Sequence, residues 1–418
     1  MNYTWQITKL GLRDELNADN VLLENAIVNV KWKRVAVDEN GTEASYLGNT
    51  DLVVREITAA DFIALNEVTS VQVISWLEEA IEALKRGGSL HPILLPKEVL
   101  GNETGIMNPS IFSHKGKLLL NIRHVNYILY HSEGKKFPHQ WGPLVYIHPE
   151  NDVSLTTHNV MCELDHALNL TNAQRVHMAL DTGAPTWNFI GLEDARLFEW
   201  DDKLYLCGVR RDCYDSDGTG RMELCNIDFV DGQWTEISRH PIPAPGENKS
   251  FCEKNWMPIT DMPYHFVKWC NPTQVVKFDI EAGTTTEVFK DESERQPFAK
   301  DFRGGSQVLR INENQRIAFI HETNLLRDPF NRKDGDYSHR VIVWDNDWNL
   351  IHASRNFHFM GTYFDHVTDT DYNIEFVTGM TVHPESGDML ISFGFQDNAS
   401  FILRMPQKLF MDFIKDSG

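Results

Sequence analysis

The stretch NFIGLEDARLFEWDDKLYLCGVRRD opens with two acids, Glu193 and Asp194, and closes with two bases, Arg210 and Arg211. An apolar run of strand type lies between them. A carboxyl group in a recess can give or take a proton. A guanidinium offers a planar fork of donors that suits the oxygens of phosphate. Together they fit chemistry on an anionic or hydroxyl-rich substrate, and they fit equally a buried ion pair such as Glu193 with Arg196. Arg210 and Arg211 adjoin on one strand, so at most one of them faces the acids and the other is solvated.

Other short apolar runs end in the same way. KGKLLLNIRHV ends on Arg123 and His124, and MPYHFVKWCNP carries Lys268 and Asn271. NQRIAFIHET ends on His321 and Glu322, and SGDMLISFGFQD ends on Gln396 and Asp397. With DDKLYLCGVRRD there are five such copies, spaced by roughly fifty to ninety residues, which predicts a mainly β fold with the five blades of a β-propeller. A large sandwich with coincidental strand spacing is the alternative. If the strands of a propeller point their ends at one face, Arg123, Arg210 or Arg211, His321 and Asp397 surround one pocket.

Helical periodicity is confined to the 160–180 stretch and the last dozen residues. His158, Cys162 and His166 fall at helical spacing in HNVMCELDHALNL, which reads as a partly buried helix rather than a metal site. In DSDGTG, Asp215 to Gly220, a calcium loop would need Glu at its twelfth position, where Asn226 stands, so the segment reads as a hairpin turn. No metal or cofactor is expected.

The N-terminal residues 1–86 read as a small α+β domain. Val28, Val30 and Trp32 alternate as in a half-buried strand, Asn40-Gly41 marks a tight turn, and SYLGNTDLVV supplies a return strand. Val73, Ile74, Leu77, Ile81 and Leu84 share one helical face, capped by Thr69 or Ser70 and ended by Gly87-Gly88. Residues 87–98, rich in Gly and Pro, form a linker, and 99–418 form the propeller.

The formal net charge of -21 argues against a nucleic-acid or anionic-membrane surface. The six cysteines contain no C-x-x-C pair and read as reduced thiols of a cytoplasmic protein. No run approaches a membrane span.

Several segments resemble glycoside hydrolase family 130, the five-bladed propeller glycosidases and phosphorylases of β-mannosides, and the related mannosyltransferase group. GLEDAR, Gly191 to Arg196, resembles the family's Gly-x-Glu-Asp-Pro-Arg. NPSIF resembles its Asn-Pro motif at Asn108. GGSQVLRINENQRIAFIHE, YSHRVIVWD and IEFVTGMTVHPESGDMLISFGFQD follow in family order, so the resemblance spans roughly residues 100–400. Ala195 replaces the motif proline, and Arg340 stands where a small residue is usual. The first fifth of the chain resembles small proteins of marine cyanobacterial phages, in MNYTWQITKLGLRDELNADN and NVKWKRVAVDENGTEASYLG. That would place the protein in a host cytoplasm or a virion, its N-terminal module attached to another protein.

The resemblance implies a glycan-active enzyme, a phosphorylase or glycosyltransferase on mannosides, with inorganic phosphate or a sugar phosphate as co-substrate. It makes Asp194 the general acid. Phosphate is already an anionic nucleophile, so one acid suffices and cations replace the second carboxylate of a hydrolase. Glu193, Arg196, Asn108, Arg123, Glu375 and Asp397 are candidates to hold the sugar. Arg210, Arg211, Lys254, Arg303, His321 and Tyr337 are candidates for phosphate. Arg303 lies in FRGGS, where two glycines allow close approach of a ligand. A hydrolase would need a second carboxylate near Asp194, with Glu322 or Glu375 available. A non-catalytic glycan-binding or structural protein is the third reading.

Overall fold

The computed structural model describes residues 2–16, 22–37, 43–51, 88–101, 105–129, 137–138, 145–147, 154–181, 183–213, 218–246, 252–292, 302–327, 333–354, 356–360, 363–365, 370–397 and 399–416. The chain is mainly β and divides into two compact units, 1–88 with 358–372, and 89–357 with 373–418. No described helix is long and apolar enough to cross a membrane.

The smaller unit contains an antiparallel sheet in the order Asn2–Leu16, Leu22–Val37, Glu43–Asp51. The alternation of Val28, Val30 and Trp32 anticipates the middle strand. The first strand escapes a period-two reading because its register slips between Ile7 and Lys9 and again between Gly11 and Leu12. The expected Asn40-Gly41 turn and the helix expected from Thr69 lie outside the described residues.

In the larger unit all five polar-ended runs are strands: Lys117–Val125, Lys203–Arg210, His265–Cys270, Gln315–Arg327 and Met389–Phe395. Each pairs with an antiparallel strand that precedes it, namely Gly105–His114, Glu193–Trp200, Met257–Pro258, Phe302–Gly304 and Thr370–Val382. The first three runs belong to separate sheets. The last two are joined by a short parallel pairing, Tyr337 opposite Ile374. Ser89–Pro92 adds to the outer edge of Ala399–Met405, the strand that follows and pairs with the last run, with Pro92 opposite Phe401.

Apolar cores lie between successive sheets because both faces of each strand are covered. Leu119 and Met161 of the first meet Ala195, Leu197 and Leu206 of the second. Phe198, Trp200 and Leu224 meet Trp256 and Phe266 of the third. Met257 and Val267 meet Ala318 of the fourth run and Ile342 and Trp344 of its partner strand Lys333–Trp344, and Leu390 of the fifth run and Ile402 of its partner strand Ala399–Met405 return to Ile111 and Leu120 of the first sheet. The C-terminal helix Gln407–Asp416 stacks Phe410 on Phe319, ring centroids 5.9 Å apart.

The 160–180 segment is not helical. It forms the strands Leu155–Leu164 and Leu170–Arg175. Val160, Cys162 and Leu164 enter one core and Met161 another, so both faces are apolar and the period-two signal is lost. The turn between them is built twice in the chain. Asp165 Oδ1 accepts from the amides of Ala167 and Asn169, as Asp345 Oδ1 accepts from those of Asp347 and Asn349.

Gln307, fully buried and lying between Phe302–Gly304 and the fourth run, ties together the strands that precede the first, second and fifth runs. Its Nε2 donates to Ser110 Oγ at 3.2 Å, Ile111 O at 3.3 Å and Leu197 O, and its Oε1 accepts from the Met380 amide at 3.0 Å. Gln307→Leu keeps the volume and strands these partners. Each buried group left unpaired costs about 1–3 kcal/mol, so the unfolding free energy is expected to fall by several kcal/mol in total, read as a lower denaturant midpoint. An unchanged midpoint would show that the amide is dispensable.

Candidate active site

The strands Gly105–His114, Glu193–Trp200 and Met257–Pro258 each carry, within or just ahead of their opening residues, a short polar residue in left-handed backbone: Asn108 (φ 49°), Asp194 (φ 50°) and Asn255 (φ 61°). Asn and Asp tolerate this region better than other non-glycine residues. The pairing register slips at the same points, between Met107 and Ser110 and between Glu193 and Arg196. These bulges turn the side chains out of the regular alternation.

Arg123, buried on the strand next to Asn108, fixes the centre. Its Nη1 donates to Asp194 Oδ1 at 2.7 Å and its Nη2 to Glu193 Oε2 at 3.0 Å. Nη2 also meets the Tyr127 hydroxyl, and Nε lies 3.3 Å from Thr157 Oγ1. Asn108 Nδ2 donates to the same Asp194 Oδ1 at 2.7 Å. Burial pushes the Asp194 carboxyl up, but Arg123, Arg196 and Asn108 outweigh it and hold the pKa at about 2. These contacts favour the carboxylate form of Asp194.

Cations gather on the neighbouring side. Arg211 Nε stands 3.3 Å from Glu193 Oε1, with its guanidinium over Phe189. Arg303 lies over the Trp269 ring at 4.8 Å. Lys254 lies between them in the charge pattern and, among the described residues, makes no ion pair. Its side chain reaches solvent; desolvation of its inner part, then Arg211 and Arg303, lower its pKa, with Cys252 and Asp194 opposing. His321 is stacked on Tyr337 at 5.7 Å and packed edge-on to Phe376 at 4.5 Å. Burial, then Lys254 and Arg196, drive its pKa well below the usual value, so it is a neutral imidazole, and its buried Nδ1 has no hydrogen-bond partner. Burial pushes the Tyr337 hydroxyl up to about 12.

Several expected roles change. Arg210 does not join the group. It points into a second ionic cluster with Asp212 (2.9 Å), Asp181 (2.6 Å) and Glu223 (3.5 Å), on the opposite face of the strand from Arg211. Arg196 does not pair with Glu193. Fully buried, it donates to the backbone carbonyls of Asp194 (2.7 Å), Gly305 (2.7 Å) and Gly304 (3.2 Å) and to Asn255 Oδ1 (3.1 Å). The two glycines of FRGGS serve neighbouring backbone rather than a ligand. A Cβ on Gly304 would stand 2.1 Å from Asn255 O, and one on Gly305 2.5 Å from Phe319 O. Glu375 is fully buried with its Oε2 3.3 Å from His339 Nε2, away from solvent.

Asp397 does join. It lies within electrostatic reach of Arg123, Asp194, Tyr127 and Tyr337. Burial and the Asp194 charge raise its pKa to about 6, with Arg123 opposing in part. Sequence reasoning missed Tyr127, Asn255 and Trp269. Asn255 carried a usable signal, a short polar residue ahead of an inner strand in EKNWMP, as in MNPS and LEDAR.

Residues 1–87 match the sequence family described as Domain of unknown function (DUF7936). No curated protein matches the chain. Two solved structures share its fold. One, of the GH130 family of mannoside phosphorylases, described as containing glycoside hydrolases that target β-1,2-mannosidic linkages in Candida mannan, aligns with a TM-score of 0.51 at 12% identity over 77% of this chain and 95% of that chain. The other, provisionally assigned as a glycosidase from Bacteroides thetaiotaomicron, aligns with a TM-score of 0.50 at 12% identity over 76% of this chain and 92% of that chain. The fold is GH130-like. At such identity the likeness speaks for the backbone, and the chemistry rests on the side chains above.

Proposed function

We propose that this protein is a glycan-active enzyme that transfers a sugar to or from phosphate, with mannosides as the substrate class that the GH130-like fold favours. The observation that carries the reading is Lys254. It lies within electrostatic reach of Arg211, Arg303 and a buried His321 with an unused ring nitrogen, and among the described residues it forms no ion pair, Asp194 acting on it only at longer range. Like charges gathered this way raise the energy of the empty site and lower that of a bound anion. The anion would lie beside Asp194, with the sugar held between Glu193, Asn108 and the Asp194–Asp397 pair. Five blades around an axis are the arrangement we propose for the larger unit. Supporting it are the five equivalent strand pairs, the cores between successive sheets and the Gln307 hub.

Simple hydrolysis fits less well. Of the carboxylates a hydrolase would recruit, Glu322 is held by Arg340 (3.3 Å) and Asn356 (2.6 Å), and Glu375 is sealed against His339. Residues 1–86 are then an attachment module, a division that loss of turnover on their removal would overturn.

The test is incubation with a panel of β-mannosides and sugar 1-phosphates, with and without inorganic phosphate. Formation of a sugar 1-phosphate supports transfer. Turnover indifferent to phosphate makes the protein a hydrolase, and binding without turnover makes it a recognition module. Lys254→Ala and Arg303→Ala should each raise half-saturation by phosphate about tenfold to a hundredfold, the loss of one charge-assisted hydrogen bond, with turnover at saturation little changed.

A further inference from the structure

We infer that Asp397 is the carboxyl that carries the proton for the departing glycosidic oxygen, while Asp194 beside it stays an anion. The inference rests on the sugar–phosphate transfer proposed above and assigns its acid.

The geometry comes from the turn that delivers Asp397. Two successive non-glycine residues, Gln396 and Asp397, hold left-handed φ values of 55° and 46°. Such backbone is strained for non-glycine residues and persists where the surroundings impose it. Here the Gln396 amide donates to Ile374 O at 2.7 Å. In the same strand end, Gly394 abuts Asn108 so closely that a Cβ would stand 2.3 Å from Asn108 Oδ1. Asn108 is the donor to Asp194. The strand end that leads into the turn of one carboxyl is therefore packed against Asn108, the donor to the other.

Their surroundings differ in kind. Arg123 spends Nη1 on Asp194 and Nη2 on Glu193 and Tyr127. Among the described residues Asp397 forms no ion pair, and the charged and titratable groups facing it are Arg123, Asp194, Tyr127 and Tyr337. Burial and the charge on Asp194 push it up to about 6, so it holds a proton in a pH range where Asp194 holds none. Two carboxyls whose proton affinities are driven apart are suited to act as acid and anion.

In the degradative direction the bond between the anomeric carbon and the glycosidic oxygen breaks, its electron pair going to that oxygen. The Asp397 proton completes the alcohol. An oxygen of hydrogen phosphate dianion forms the new bond to the anomeric carbon. Asp397 is left as a carboxylate, and the proton shed by the sugar phosphate monoanion to solvent balances the one that recharges it.

The experiment compares wild type, Asp397→Asn and Asp397→Glu in the full chain. Wild-type kcat/KM on an unactivated glycoside should fall as pH rises through about 6. Asp397→Asn should lose that limb and about 10²–10⁴-fold of turnover. It should keep turnover on an aryl glycoside whose leaving group needs no proton, and Asp397→Glu should recover part of the loss. A second readout needs no turnover. Because the buried carboxyl binds its proton more tightly folded than unfolded, wild type loses melting temperature relative to Asp397→Asn as pH rises from the ordinary 3.8 to about 6, and the gap then stays constant. An Asp397→Asn enzyme that changes KM alone, with an unaltered pH profile, overturns the assignment and leaves the transfer reading in place. Parallel melting curves at every pH also overturn it. A wild type with no turnover on any donor overturns the transfer reading and this assignment with it.

Discussion

Asp194→Asn is expected to cut turnover about 10²–10³-fold, the usual loss when one preorganised charge is removed from a reacting centre. Asn is nearly isosteric and tolerates left-handed backbone, so the bulge at φ 50° should survive. What disappears is the fixed negative charge beside a sugar that becomes positive as its glycosidic bond breaks. Half-saturation by phosphate should change little or tighten, since a like charge leaves the neighbourhood of Lys254. Asp194 is ionised down to about 2. Its removal should therefore lower the pH–rate curve above about 4 and, because the Asp194 charge helps raise Asp397, move its midpoint below about 6, whereas the Asp397 variant loses the limb altogether. Steady-state kinetics from pH 4 to 9 decide this. A variant with full turnover would remove Asp194 from the chemistry.

Arg123→Met should be the most damaging substitution to the fold near the site. The side chain is buried, and its loss leaves Glu193 and Asp194 facing one another with the cation between them gone. Breaking a buried ion pair from one side typically costs about 3–5 kcal/mol. The sign of its pH dependence follows from Asp194, whose folded-state pKa lies below the ordinary 3.8. The stability that pairing contributes is complete above the ordinary value and is lost as pH falls toward about 2. The deficit of the variant should thus be full at neutral pH and shrink in acid. Chemical denaturation at pH 7 and pH 3 measures both values. Equal deficits would mean that packing of the guanidinium, not its charge, carries the effect.

Where the sequence could be read, it was because strands with buried faces leave an unbroken apolar run and a polar end. LLLNI, KLYLCGV and MLISFGF show this directly, and each is a strand in the structure. The same rule explains the error at HNVMCEL, where apolar residues on both faces give no alternation. Bulges hid the strand Asn2–Leu16 for a related reason, since each one resets the period. At the site, residue type announced Asp194, Arg123, Arg211 and Lys254 as chemical groups. It could not say which arginine of the adjacent pair turns inward, nor that Arg196 would spend its donors on carbonyls more than a hundred residues away. Those choices depend on neighbours brought together only by folding. The separation of Asp194 from Asp397 in proton affinity belongs to the same class, because it depends on where Arg123 places its two nitrogens.

The pairing of Ser89–Pro92 with Ala399–Met405 joins the beginning and the end of the larger unit within one sheet. During synthesis, Phe401 emerges long after Pro92 has left the ribosome. The first sheet can form early, but the edge of the last sheet waits for the final strand. Until then Ser89–Pro92 presents open backbone donors and acceptors to whatever strand it meets. Completion of this unit thus waits until its last strand has been synthesised, and the interval before it is when the growing chain is most exposed to mispairing with another copy of itself.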